Sequence, residues 1–396
     1  MAAQIPINYS EQSIGVKQPQ EIIFNLESFK GKNYLTHNFH PYPAKFVPQI
    51  PQLIIEGLSQ EGEMVLDPFC GSGTTLVEAN RLGRRAIGFD LNPLSGLISR
   101  VKTTALNHEQ VLIVESVLRE VERKLIAGLE GNSLTEYSEY IPAFKNKDHW
   151  FLPHVQLELA FLRRLIFLVD DRAACDFLKV AFSAIIVKVS NQDSDTRWVA
   201  VQKEISTGGT LRAFLSKGRD MVTRIQEFKA LKPPSTKVFV QTITDPIPLE
   251  HDSVDLIVTS PPYLNSFDYY LYHKLRFFWL GMNHYSVQAE EIGSRHRHSD
   301  KGEGIETYTS SMCTAMKAML GVLKPGRYLC VVIGDSILRG SLINMKDTYS
   351  VLGGEVGLSL IHSFSYDQRK YTSAFTPNLK TLFKQSHIMF FRKDGS

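Results

Sequence analysis

Cysteine is scarce in this chain: four in 396 residues, at positions 70, 175, 313 and 330, with no CxxC pair among them. That spacing argues against a thiolate zinc site and a disulfide framework, and suits a reducing compartment. Charge of one sign is lacking too. There are 44 basic and 41 acidic residues, a net charge of +3, so affinity for nucleic acid must come from a local basic face rather than bulk charge. No apolar run is long enough to span a bilayer. The richest stretches, LAFLRRLIFLV (159–169) and FLKVAFSAIIVKV (177–189), are interrupted by Arg or Lys. Both fall short of the roughly 20 residues a span requires and read as core helices. MAAQIPINYSEQ at the N-terminus has no basic region leading into an apolar one, so no export signal is expected. Internal repeats and low-complexity tracts are missing as well.

What is present suffices for a large core: 43% of the residues are hydrophobic and 10% aromatic. The length allows two domains, or one domain with a large insertion. Residues 1–38 read as a polar N-terminal arm. FHPYPAKFVPQIPQLIIEGL (39–58) is proline-rich in its first half and helical in its second. EMVLDPFCGSGTTLVEANRLGRRAIGFDLNP (63–93) reads as strand, glycine turn, helix and strand, a compact βαβ unit. From 103 to 235 the pattern is helical, broken by SNQDSDTRW (190–198) and Gly208-Gly209, and closed by Lys232-Pro233-Pro234. Strands resume with KVFVQTI (237–243) and VDLIVTS (254–260), a helix follows over 305–323, and further strands fall at 357–366 and 386–393. Alternating strands and helices with a closing strand pair predict a mostly parallel α/β sheet.

The chemistry sits at two strand ends. In the βαβ unit, Asp67 ends the first strand, and Gly71 and Gly73 allow the tight turn that admits a ligand close to backbone. Asp90 ends the second strand, where dinucleotide folds place a ribose-binding carboxylate. The turn nevertheless departs from GxGxxG, offers no lysine for a phosphate, and carries an Asp that would repel a pyrophosphate. A cationic or zwitterionic nucleoside fits better. In TSPPY (259–263), neither Pro261 nor Pro262 can donate to a sheet ladder, so the pair ends the strand and stiffens the loop after it. That leaves carbonyls free to accept, a hydroxyl on Ser260 and an aromatic at Tyr263.

LDPFCGSGTTLVEA and TSPPY together resemble the cofactor and catalytic motifs of S-adenosylmethionine-dependent DNA amino-methyltransferases, the N4-cytosine and N6-adenine type, and HPYPAKF (40–46) is similar to the segment that completes their methionine pocket. The resemblance covers 39–100 and 237–336 well and the last two strands more loosely. It implies a Rossmann-like class I methyltransferase fold: a seven-stranded, mostly parallel sheet with a closing antiparallel strand and a helical insertion. The catalytic domain would comprise 39–102 and 236–396, and 103–235 would be the insertion. The cofactor implied is S-adenosylmethionine. Asp67, Pro68, Phe69, Cys70, Gly71, Ser72, Gly73 and Thr74 would hold it, with Lys45 and Phe46 beside its methionine part. Asp90 would take the ribose, with Leu91 and Asn92 beside the adenine. Ser260 and the Pro261 carbonyl would accept the amine hydrogens of the target base, with Pro262 shaping the loop and Tyr263 stacking on the ring.

No cysteine here follows a proline, so the Pro-Cys nucleophile of cytosine C5 methylation is missing. Ser260 rather than Asp or Asn before Pro-Pro-Tyr favours cytosine over adenine, and also over the guanine amine of RNA enzymes. The implied partner is double-stranded DNA, in the restriction–modification setting of a bacterial or archaeal cytosol, where a partner endonuclease can occur. Neither metal nor membrane is expected. Between the motifs, 103–235 reads as a target-recognition region whose Arg163, Arg164, Lys179, Lys188, Arg197, Lys203, Arg212, Lys217, Arg219 and Arg224 are candidates for phosphate contacts. A second basic loop, IGSRHRHSDKG (292–302), follows the aromatic stretch YYLYHKLRFFWL (269–280), which reads as core apart from Tyr269, which with Phe267 sits close to the site in sequence. The strand 237–243 should end in an acidic residue near the adenine, but Thr242 and Ile243 stand there and Asp245 comes late.

Overall fold

The computed structural model describes residues 17–25, 34–45, 47–128, 134–298, 302–367 and 384–395. Helix α1 (Gln49–Leu58) leads into strand β1 (Met64–Asp67), helix α2 (Thr74–Arg81), strand β2 (Arg85–Asp90) and helix α3 (Pro93–Thr103). The insertion follows: α4 (His108–Ile126), α5 (Lys147–Trp150), α6 (Pro153–Phe167) and α7 (Arg172–Val189), then the hairpin β3 (Gln192–Ser194) and β4 (Arg197–Ala200), then α8 (Gly209–Ala230). The chain returns to the sheet with β5 (Thr236–Val240) and β6 (Val254–Thr259). After α9 (Tyr269–Tyr272), α10 (Lys274–Leu280), α11 (Tyr285–Glu290) and α12 (Ile305–Val322) come β7 (Leu323–Gly334), the small hairpin β8 (Ser336–Leu338) and β9 (Ser341–Ile343), α13 (Met345–Val356), β10 (Leu358–Asp367) and β11 (Gln385–Lys393).

Seven strands form one sheet in the order β10-β11-β7-β6-β1-β2-β5. All pairings from β7 to β5 are parallel, and β11 runs antiparallel to both β7 and β10. This is the Rossmann-like sheet the resemblance implies, with β11 as the reversed strand. The central β6 is buried along its whole length, as a strand covered by helices on both faces must be. The order reverses at β1, with β2 on one side and β6 on the other. Ligands of open α/β sheets bind at such a switch point, beyond the carboxyl ends of the strands.

Between β2 and β5 the insertion precedes the third strand of the sheet in sequence. Its helices share a core with their surroundings: Leu97 and Ile98 of α3, Phe177 and Phe182 of α7, Phe214 of α8, and Phe277 and Trp279 of α10 belong to one buried cluster. The aromatic stretch is therefore core, but it is two helices rather than one. His273 breaks it, at φ −96° and ψ 2°, with its ring 5.1 Å from that of Tyr42. β5 also ends earlier than expected, at Val240. Its last ladder partner is Asp90, the final residue of β2, and beyond that point there is nothing to pair with. Among the described residues, no helix is long and apolar enough to cross a membrane.

Candidate active site

The glycine turn after β1 is built from local constraints. Cys70 N donates to Phe89 O and Gly73 N to Cys70 O, at 2.9 and 2.7 Å. Gly71 and Gly73 have φ of 49° and 76°, the left-handed region that L-residues enter at a cost. A Cβ at Gly73 would lie 2.9 Å from Ser99 Oγ and 3.1 Å from Ser99 Cα, so glycine is required there by packing as well as by torsion. Two groups from α3 fasten the turn from below: Ser99 Oγ donates to Gly71 O at 2.8 Å and Lys102 Nζ to Ser72 O at 2.7 Å. Lys102 is fully buried, and that burial pulls its pKa well below the ordinary lysine value. Nothing local in the sequence announces either group.

Two carboxyls end the neighbouring strands β1 and β2. Asp67, 1% exposed, accepts from Thr259 Oγ1 at 2.7 Å and from Phe69 N at 3.2 Å. Asp90 accepts from Gly71 N and Asn92 N, both at 2.8 Å. Burial pushes each of them up, from 3.8 to about 6, against the pull of these donors. Asn92 caps α3 through its Oδ1, which accepts from Leu94 N and Ser95 N. Its Nδ2 is buried without a partner.

These groups and the TSPPY loop line one cleft. Lys45, the turn from Asp67 to Ser72, Thr74, Asp90 to Asn92 and Ser260 to Tyr263 all belong to its wall. Gly73 does not. It sits behind the turn against Ser99 as the N-terminal cap of α2. Phe46 lies outside the described residues. The Pro262 carbonyl accepts from Tyr308 Oη at 2.9 Å, which anchors the loop from behind. Thr242 and Ile243 line the cleft where an acidic residue was expected, and Asp245 is not part of the wall.

The wall also takes in residues not assigned from the motifs: Tyr42 within HPYPAKF, and Glu290 and Glu291, which carry no signal in the sequence. Tyr42, from HPYPAKF, stacks on Tyr269 with ring centroids 5.8 Å apart. Glu290 and Glu291, at the end of α11, also belong to the wall. Glu291 is 7% exposed and accepts from Tyr269 N at 2.9 Å through Oε1, while Oε2 has no partner. By contrast, His40 is held in the interior by Ser183 Oγ at 2.9 Å, and Asp335 of the GDS turn accepts from Met345 N and Gln385 N. Both are structural.

Most of the candidate basic residues of the insertion are engaged within the protein. Arg163 donates to the Tyr140 and Trp279 carbonyls, Lys203 to those of Val187 and Gln192, and Arg212 to Ser206 Oγ and Thr207 O. Arg197, Arg219 and Arg224 pair with Asp193, Glu122 and Asp220. Arg164 lies over the Tyr137 and Tyr140 rings, and Lys179 over Phe167. Lys188 is exposed with no partner among the described residues. Lys217 donates to Asn38 O at 2.8 Å and lies 3.6 Å from Asp220, and Lys45, in the cleft wall, donates to His37 O at 3.2 Å. In the second basic loop Arg297 pairs with Glu303, and residues 299–301 lie outside the described residues. Among the described residues, no group of three or more His, Cys, Asp or Glu side chains is placed to hold a metal ion.

Residues 5–94 match a DNA methylase family, N6_N4_Mtase, and residues 56–133 match an RMKL-like methyltransferase domain. The chain is 32% identical over 249 residues to the type II methyltransferase M.MvaI of Kocuria varians, covering 59% of this chain and 54% of that protein. It is 22% identical over 438 residues to the type II methyltransferase M.MjaII of Methanocaldococcus jannaschii, covering 89% and 80%. Among solved structures, a TehB-like SAM-dependent methyltransferase from Corynebacterium glutamicum aligns over 87% of each chain, at 11% identity and a TM-score of 0.32. The chain thus spans about half the length of the Kocuria protein, and its sequence matches include DNA methylases and type II methyltransferases and, at 30% identity over 91 residues, a tRNA (guanine(10)-N2)-dimethyltransferase of Methanocaldococcus jannaschii, covering 23% of this chain and 24% of that protein.

Proposed function

We propose that this protein is an S-adenosylmethionine-dependent, site-specific DNA methyltransferase that modifies the exocyclic N4 amine of a cytosine flipped out of the duplex. The observation that carries this reading is the hydrogen bond from Thr259 Oγ1 to Asp67 Oδ1, 2.7 Å long. It ties the strand end that opens TSPPY to the carboxyl that opens the glycine turn, with both motifs facing one cleft. The DNA methylase match and the type II relatives support DNA as the substrate.

S-adenosylmethionine fits the donor set. Asp67 and Asp90 are carboxyls whose charged forms gain from a cation, Lys45 offers a partner for a carboxylate, and Asn92 Nδ2 is an unpaired buried donor in the wall. When bound, the cofactor supplies an electrophilic methyl group next to a positively charged sulfur. The protein's own task is positioning. A nucleobase amine is a poor nucleophile because its lone pair is delocalised into the ring. Ser260 Oγ and the Pro261 carbonyl would accept its two hydrogens, localising that pair, while Tyr263 stacks on the ring. The remaining requirement is a near-attack distance of roughly 3–3.5 Å between the reacting atoms. The base must leave the helix to reach these groups, since its amine is otherwise paired. Residues 103–235 serve target recognition in this reading, with the exposed Lys188 as the leading candidate for a phosphate contact, and a restriction–modification setting with a partner endonuclease is part of it.

The test is chemical. DNA incubated with the protein and cofactor is digested to nucleosides, and the modified base is identified by mass and chromatography. N4-methylcytosine is expected. N6-methyladenine would keep the amine chemistry and move the target, whereas 5-methylcytosine or unmodified DNA would overturn the reading.

A further inference from the structure

Glu291 is a carboxyl, nine-tenths buried, in the wall of the cleft that also contains Ser260, Pro261 and Tyr263. One oxygen is fixed: Oε1 accepts from Tyr269 N at 2.9 Å. That bond holds the start of α9, and with it the Tyr269 ring stacked on Tyr42. Oε2 is buried with no partner. An unsatisfied buried oxygen costs about 1–3 kcal/mol, so one left within the wall of a cleft needs a partner that the neighbouring side chains and backbone do not supply.

The protonation state follows from the surroundings. Glu291 makes no ion pair among the described residues, and the charges acting on it most strongly, Asp268 and Asp90, are both negative. Tyr42, Tyr269 and Tyr272 face it as well, and Arg295 is felt at Tyr272. Burial, opposed first by the Tyr269 backbone donor, pushes the carboxyl up to about 8. At neutral pH Glu291 is therefore mainly a neutral acid, with one O–H to donate and acceptor capacity beside it.

A neutral acid and a carboxylate read different bases. A carboxylate accepts twice, which matches the adjacent N1–H and amino donors of guanine. A neutral acid donates once and accepts once. Its O–H matches the unprotonated ring nitrogen beside the amino group, N3 of cytosine or N1 of adenine, and not the N1–H of guanine, while the amine's own two hydrogens go to Ser260 and Pro261. We propose that Glu291 is a base-reading residue of this cleft, whose Oε2–H donates to the ring nitrogen beside the target amine and so admits cytosine or adenine and rejects guanine. This rests on the amino-methylation reading above and adds to it the residue that selects the base. Hydrogen bonding to the ring nitrogen withdraws electron density from the amine rather than activating it. Glu291 therefore acts by orienting the base, leaving activation to Ser260 and Pro261.

The experiment uses the full chain and a duplex carrying the methylation site found by nucleoside mapping, with either cytosine or 3-deazacytosine at the target, opposite an abasic site so that neither base is paired. The analogue replaces N3 by C–H; for an adenine target the matching probe is 1-deazaadenine. Single-turnover rates and KM are measured for wild type, Glu291→Ala and Glu291→Gln. Wild type should lose about tenfold in kcat/KM on the analogue. Glu291→Ala should lose a similar factor on cytosine and nothing further on the analogue, because both changes remove the same hydrogen bond. Glu291→Gln, whose amide N–H can replace the acid O–H, should recover most of the alanine loss. Wild-type kcat/KM should also fall as pH rises through about 8, and Glu291→Gln should lack that fall. Additive losses in the cycle, or a wild type that handles the analogue as it handles cytosine, would overturn the Glu291 assignment while leaving amino-methylation standing. Failure of wild type to methylate any DNA amine would overturn the reaction itself.

Discussion

Asp67→Asn separates the stability of this fold from its chemistry. The Asp67 carboxyl is 1% exposed, and burial raises it from 3.8 to about 6. Because the folded value lies above the unfolded one, the folded state binds the proton more tightly between those two pH values, so ionisation destabilises the protein. Below about pH 4 both states are protonated and the group adds no penalty. Above about pH 6 the folded protein carries a buried charge, at a cost of about 3 kcal/mol for the difference of roughly two pH units. Asparagine keeps an oxygen able to accept from Thr259 Oγ1 and Phe69 N and cannot ionise. Urea unfolding of both proteins at about pH 4 and about pH 7.5 should show the mutant gaining up to about 3 kcal/mol on wild type across that interval. Affinity for S-adenosylmethionine at the higher pH should fall by about 1.5–3 kcal/mol, the usual worth of a hydrogen bond to a charged group. A stability difference that does not change with pH would refute the claim that this site holds a destabilising buried charge for a cation to neutralise.

Other perturbations probe the remaining parts. Gly73→Ala forces a Cβ to 2.9 Å from Ser99 at φ 76°, and thermal melts should show a loss of about 1–3 kcal/mol. Asp90→Ala should weaken cofactor binding by about 1.5–3 kcal/mol in calorimetry, with loosening of the Gly71 turn as a second effect. Lys188→Gln should weaken DNA binding at low salt and leave cofactor affinity unchanged. The salt slope should fall by about 1 for each phosphate that is no longer neutralised.

Legibility in the sequence follows the range of the interactions. Asp67, Gly71 and Asp90 can be read because a strand, a turn and a helix within about 30 residues demand them, and the double proline of TSPPY declares a strand end by itself. The sheet order is accessible only through the resemblance, since pairing of β1 with β6 joins segments separated by the whole insertion. Lys102 and Ser99 act on the glycine turn from a helix that reads as ordinary core. Glu291 belongs to a polar stretch, YSVQAEEIG, and only burial against α9 gives its carboxyl meaning. The basic residues of the insertion mislead in the opposite sense: charge is visible in sequence, but the carbonyls, rings and carboxylates that occupy Arg163, Lys203 and Arg224 are not. The end of β5 differs from the expected one because a strand stops where its neighbour stops, and Asp90 ends β2.

The central claim is that the TSPPY loop and the glycine turn form one amino-methylating cleft, with Ser260 and Tyr263 contacting the base. Single-turnover methyl transfer by wild type, Ser260→Ala and Tyr263→Ala, on duplexes with a paired or a mispaired target and at saturating cofactor, tests it most directly. Tyr263→Ala should lose stacking on the base worth about 1–3 kcal/mol. Ser260→Ala should lower the rate more than DNA affinity, because its hydroxyl matters most as the amine rehybridises. Both variants should bind S-adenosylmethionine nearly as wild type does, and the mispaired target should bind more tightly than the paired one, since part of the cost of extrusion is already met. Transfer at the wild-type rate by both variants on both duplexes would contradict the account and reduce TSPPY to the end of a strand.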